Sequence, residues 1–128
     1  DGDGEIIYTR PLDEVPKATW HRNTGSIAIA LCCCYNARPD DLGEYPPTEA
    51  QIETLAKMFA VIAEVFDNPI DREHFMTHGE AANDDGYGLY SGDPDCRWDL
   101  EQLCDQDEIG TGGDILRGKA QWYLENGV

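Results

Sequence analysis

Ser26-Ile27-Ala28-Ile29-Ala30-Leu31-Cys32-Cys33-Cys34-Tyr35 is the stretch whose reading decides the fold. Alternate side chains of an extended segment point to opposite faces. Ile27, Ile29, Leu31 and Cys33 share one face here, and Ala28, Ala30 and Cys32 share the other. Both faces are apolar, which predicts a central strand covered on both sides. Upstream, Glu5 to Arg10 predicts a second strand, opened by the Asp3-Gly4 turn and ended by Pro11. Between them Pro16, Asn23 and Gly25 mark a loop.

Downstream, Asn36 to Pro47 is a loop rich in Pro and Asp. A helix then starts near Thr48, where Thr48 and Gln51 have the spacing of a capping box. Ile52, Leu55, Phe59, Ile62 and Phe66 recur at helical spacing, so one face is buried, and Asn68-Pro69 ends the run. Glu73 to Thr77 predicts a short strand delivering His78 to its end. Ala81 to Asp95 predicts a long loop, with Gly86, Gly88, Gly92 and Pro94. Asp99 is placed to cap a short helix over Leu100 and Leu103. Asp114 is placed to cap a final helix carrying Ile115, Leu116, Ala120, Trp122 and Tyr123. The order strand, strand, helix, strand, helix predicts an α/β fold: a mixed central sheet flanked by helices, in a single domain over residues 1–128.

The 128 residues suit one core, and 41% apolar residues suffice to build it. The 26 acidic residues against 9 basic ones give a formal charge of −17. A field of that sign repels phosphates, and there is no basic stripe, so neither nucleic acid nor an anionic membrane surface is expected as partner. No apolar run approaches the ~20 residues of a membrane span. The acidity serves solubility, metal attraction or a cationic partner. The five cysteines are Cys32, Cys33, Cys34, Cys96 and Cys104, an odd number without a framework's spacing. Consecutive strand positions face opposite ways, so Cys32 to Cys34 cannot jointly grip one metal ion. They are expected as small buried residues. Cys96 and Cys104 are free to pair or not.

A loop longer than about 12 residues inside a compact domain is usually functional. The Ala81 to Asp95 loop separates His78-Gly79-Glu80 from Arg97-Trp98-Asp99. The first segment offers an imidazole and the second a carboxylate beside a cation. Zinc takes such donors at about 2.0–2.2 Å, and its catalytic sites use three protein ligands plus water. Each residue also has a plain structural role open to it: Asp99 as a helix cap, Asp93 before Pro94 as a turn former, and Glu80 as a solvated carboxylate.

Taken in order, Thr77-His78-Gly79-Glu80, Asp85-Gly86-Tyr87-Gly88 and Arg97-Trp98-Asp99-Leu100 resemble the zinc-dependent N-acetylmuramoyl-L-alanine amidases of the amidase-2 family, relatives of the peptidoglycan recognition proteins. Asp3-Gly4-Glu5-Ile6, Trp20-His21, Asn23 to Ile29 and Pro47 to Gln51 resemble further passages of the same family, so the likeness runs along nearly the whole chain. The resemblance implies a phage or bacterial cell-wall hydrolase with peptidoglycan as partner. In this likeness, His78 is the second zinc ligand and Asp99 the third, with Asp93 as the rival. Arg97 stands in the position of a lysine that holds the oxyanion. His21 lines the substrate groove. Glu80 is either the proton donor or a partner orienting His78.

Two positions depart from the family pattern, and the loop between His78 and Asp99 is longer than in the family's compact members. The first zinc histidine of the family lies on a strand ahead of the Asp-Gly turn where this chain opens, which implies a domain lacking its N-terminal strand. A glutamate common on the central strand is here Ala30. The implied reaction is zinc-assisted hydrolysis of the amide between N-acetylmuramic acid and L-alanine. With two protein ligands, weak zinc binding is expected. A non-catalytic peptidoglycan-binding module of the same fold is the alternative. A metal-binding domain unrelated to cell walls is the third possibility, favoured only by the acidity.

Overall fold

The computed structural model describes all of residues 1–128. Three helices form: α1 over Glu49–Phe66, α2 over His78–Asp85 and α3 over Gly112–Asn126. Long irregular segments of turns and bends connect them. No strand ladder forms anywhere. The only bridges are isolated ones, Arg38 to Asp41 and Gly88 to Arg97.

The predicted α/β architecture is therefore corrected to an all-helical framework with irregular connections. Ser26 to Tyr35 does not pair as a central strand, nor does Glu5 to Arg10 pair beside it. A ladder needs reciprocal backbone hydrogen bonds, and the amides from Ile27 to Cys32 donate to no other group of the chain. Instead, Ile6, Ile7 and the Ile29 to Cys32 run face one another across a cavity of about 90 Å³ floored by Gln51, Leu55 and Met58 of α1. The two segments rest on a helix by their side chains, and their backbones do not bond to each other; the Cys32 carbonyl accepts instead from the Gln51 side chain at 3.1 Å. The predicted strand at Glu73 to Thr77 is likewise a turn leading into α2.

α1 forms where the apolar spacing places it. Thr48 accepts from the Gln51 amide at 3.1 Å, and the Gln51 side chain accepts from the Thr48 amide at 2.9 Å, closing a capping box. At the other end Asp67 takes a left-handed conformation, and Asn68 bonds back to Ala63. α1 packs on α3 through Leu55 and Leu116, with Leu103 of the preceding loop completing the small core. Ile29, Leu31, Ile52, Phe59, Leu100 and Ile115 surround it. Polar ties reinforce the pair. The Glu53 carboxylate accepts from Lys119 and from the Tyr123 hydroxyl at 2.6 Å. Phe75 stacks on Phe59, with ring centres 5.1 Å apart.

The start of α3 is set by close approach. A Cβ on Gly112 would lie 2.2 Å from the Leu100 carbonyl oxygen, so only glycine lets the helix begin there. Thr111 is its N-cap residue, without a side-chain cap bond; Asp114 sits in the first turn and bonds Arg117 instead. The short helix predicted after Asp99 does not form, and those residues are turns.

Candidate active site

α2 carries the candidate chemistry, and its sequence explains its place. Thr77 accepts from the Glu80 amide at 3.1 Å, while Glu80 Oε2 accepts from the Thr77 amide at 2.9 Å. This second capping box starts the helix at His78. Gly86 ends it in a left-handed conformation. α2 thus occupies ground where sequence alone predicts the opening of a loop.

Glu80 is nearly buried. It binds Arg117 of α3 through both oxygens, at 2.8 and 2.7 Å, and Arg117 also reaches the Phe75 carbonyl at 2.8 Å. A Cβ on Gly113 would collide with this carboxylate, so the glycine makes room for it. Glu80 therefore joins α2 to α3. Burial and the carboxylates of Glu80 and Asp114 act on Arg117 in opposite senses, and the hydrogen bond to Glu80 prevails, raising its pKa.

His78 stands on the first turn of α2, partly exposed, with Nδ1 3.5 Å from Asp99 Oδ2. The backbone fixes this meeting, because the Gly79 amide donates to the Asp99 carbonyl at 2.6 Å. His78 borders a cavity of about 310 Å³ that Trp20, Tyr87, Asp93, Asp95 and Arg97 also line. The Arg97 amide donates to the Tyr87 carbonyl at 3.0 Å, which holds the two walls together. Arg97 Nη1 is bound to the Asp95 carbonyl at 2.8 Å; its Nε and Nη2 have no partner in the chain. Trp20 lies edge-on to Tyr87, with centres 6.3 Å apart, and against His21 at 4.0 Å.

Of the candidates named by sequence, His78, Arg97 and Asp93 line one cavity, Asp99 approaches His78, and His21 meets the site only through Trp20. Glu80 lies behind them in the helix contact. Three further lining residues have no role assigned by sequence: Trp20 and Tyr87 lie inside the family-like motifs, which is their signal, and nothing local marks Asp95. The Tyr87 hydroxyl is buried without a hydrogen-bond partner. Burial raises its pKa, and nearby Asp85 adds to the rise. All five cysteines are free thiols, so Cys96 and Cys104 are not paired.

An imidazole and a carboxylate are chemically apt donors for zinc. Their number is the difficulty, since no three His, Cys, Asp or Glu side chains come together with a geometry that would hold a metal ion. As arranged, the residues fall one donor short of a catalytic zinc site.

The cavity offers aromatic rings, an imidazole, carboxylates and a guanidinium to whatever enters it. The model of the N-acetylmuramoyl-L-alanine amidase family matches residues 1–94, and the chain belongs to that family. The match takes in His21, His78, Glu80 and Asp93; Arg97 and Asp99 lie beyond it. The family's reaction is the hydrolysis of an amide in the peptidoglycan of the cell wall. No curated protein and no solved structure matches the chain. No helix is long and apolar enough to cross a membrane.

Proposed function

We propose that this chain hydrolyses the amide bond between N-acetylmuramic acid and L-alanine in peptidoglycan, at the cavity bordered by His78. The observation that supports this is the convergence of His78, Asp99 and Arg97 beside an aromatic wall, in a chain of the amidase family. Trp20 and His21 offer ring faces to the sugar and stem peptide. Arg97 brings two unengaged donor groups to a developing oxyanion, and its permanent charge suits that role. The His78 ring makes no hydrogen bond within the chain, and Asp99 Oδ2 lies 3.5 Å from its Nδ1, so both groups are open toward a ligand or an ion. Glu80, committed to Arg117 and Thr77, positions the helix that bears His78.

His78 and Asp99 are the donors we assign to zinc, with Asp93 across the same cavity as the side chain that would add a third. The separations described above are not those of a bound ion, and no step of hydrolysis is derived through the metal. The alternative is a peptidoglycan-binding module that does not cut, and the incomplete donor set is the observation that favours it.

One experiment separates the two. The chain and its His78→Ala variant are incubated with purified peptidoglycan, with and without added zinc, and released stem peptides are measured alongside sedimentation with the wall. Peptide release that needs His78 supports the amidase. Sedimentation without release in any condition establishes the binding module, and neither result would remove the cell wall as partner.

A further inference from the structure

The loop between the two extended runs, Glu5 to Arg10 and Ser26 to Tyr35, is tied to α2 by one arginine. Arg22 donates from Nε to Asp85 Oδ2 and from Nη2 to Asp85 Oδ1, both at 2.7 Å, and its Nη1 lies 3.6 Å from the Met76 sulfur. The pair spans 63 residues of chain. Its planar, two-point geometry fixes direction as well as distance.

Two features show that this contact does more than decorate the surface. Asp84 and Asp85 sit in the last turn of α2, where the helix dipole disfavours carboxylates. Each is met by an arginine from elsewhere, Asp84 by Arg72 and Asp85 by Arg22. The helix alone gains nothing from them. The loop that Arg22 holds is also strained, with His21 at φ 60°. Asn23 Oδ1 gathers that loop internally, accepting from the Ala18 and Thr19 amides at 2.9 and 2.8 Å. The loop is thus a preformed unit, and Arg22 is its attachment.

We propose that the Arg22–Asp85 ion pair is a positioning device that sets the Trp20–His21 wall against the cavity and so governs how tightly substrate is gripped. Neither residue touches the reacting atoms. As a statement about substrate it rests on the amidase function proposed above; as a statement about where Trp20 sits it does not.

The test uses a form with Trp20 as its single tryptophan, made by Trp98→Phe and Trp122→Phe. Trp20 is 67% exposed but rests edge-on against Tyr87, so Arg22→Ala and Asp85→Asn should each lower the anisotropy of Trp20 emission and change its intensity as the ring loses that seat. The charge-reversed double variant, Arg22→Asp with Asp85→Arg, should restore both. On a soluble muropeptide, the single variants should raise KM about two- to fivefold, the range expected for a partly exposed ion pair, and leave kcat nearly unchanged. Unchanged Trp20 fluorescence in both single variants, with native circular dichroism, overturns the proposal. So does a fall in kcat at constant KM. If no form cleaves the muropeptide, the amidase function fails, and the Trp20 signals still decide whether the pair positions the wall.

Discussion

Arg117 and Glu80 face each other across 37 residues of chain and join through two hydrogen bonds of 2.8 and 2.7 Å, with side chains only 9% and 11% exposed. This buried pair is the joint between the helix that carries His78 and the helix that carries much of the core. Removing Arg117 strands the Glu80 charge in a poorly solvated place, and Arg117→Ala is expected to lose about 3–5 kcal/mol, read from urea denaturation. The paired replacement Arg117→Met with Glu80→Gln should lose much less, because no buried carboxylate is left alone and the glutamine still accepts from the Thr77 amide.

The turn into α3 predicts a different failure. In Gly112→Ala the new methyl would meet the Leu100 carbonyl oxygen at 2.2 Å, and a backbone atom cannot swing aside. A loss of about 1–3 kcal/mol is expected, with α3 displaced from Leu103. Gly118→Ala, where nothing lies within 4 Å, should be neutral or stabilising. Thermal denaturation of the two variants makes the comparison.

Acid should weaken the α1–α3 contact. The hydrogen bond from Lys119, then that from Tyr123, holds the Glu53 carboxyl below the usual glutamate value. A depressed carboxylate stabilises the fold above its unfolded pKa, about 4.3, and that stabilisation is lost as pH falls through the lower folded value. Glu53→Gln should lower the denaturation midpoint at pH 7. The gap to the parent should close as the pH falls below about 4. A gap that stays constant down to pH 2 would show that Glu53 is not a source of the acid sensitivity.

The cysteine run offers a chemical test. Burial first, and then the hydrogen bond with Cys34, pushes the Cys33 thiol up to about 12, whereas Cys32 is exposed. At pH 8 iodoacetamide should modify Cys32 well before Cys33, since the thiolate is the nucleophile. Peptide mapping of a time course reads the order, and equal rates would contradict it.

How much of this was legible in the sequence follows from where each signal resides. α1 announces itself through Thr48, Gln51 and the spacing from Ile52 to Phe66, all local. α2 hides, because His78-Gly79-Glu80-Ala81-Ala82-Asn83-Asp84-Asp85 has no apolar stripe. Its one local signal is Thr77 with Glu80, the same threonine-to-acid spacing that marks a helix start. The extended run from Ser26 misleads because apolar alternation says only that side chains can be buried on two faces. Whether a neighbouring backbone is there to bond is decided by distant residues, and here Ile6 and Ile7 stand across a cavity from Ile29 to Cys32 without a backbone bond between them. His78, Asp99 and Arg97 are nameable as candidates from their motifs. Their convergence depends on the Gly79 to Asp99 backbone bond and on Arg117, which no motif marks. The pairing of Arg22 with Asp85 is invisible for the same reason.

The unbonded amides from Ile27 to Cys32 carry one more consequence. Those amide hydrogens face no acceptor in the chain, so deuterium should replace them almost as fast as in an unstructured peptide, while the interior of α1 keeps its own for far longer. A protease should cut first in the same place and leave the three helices associated. The molecule would then survive as two fragments held by side chains alone, with Trp20 and His21 on one and His78 on the other. Their reassociation would measure directly how strongly the loop clings to the rest of the fold.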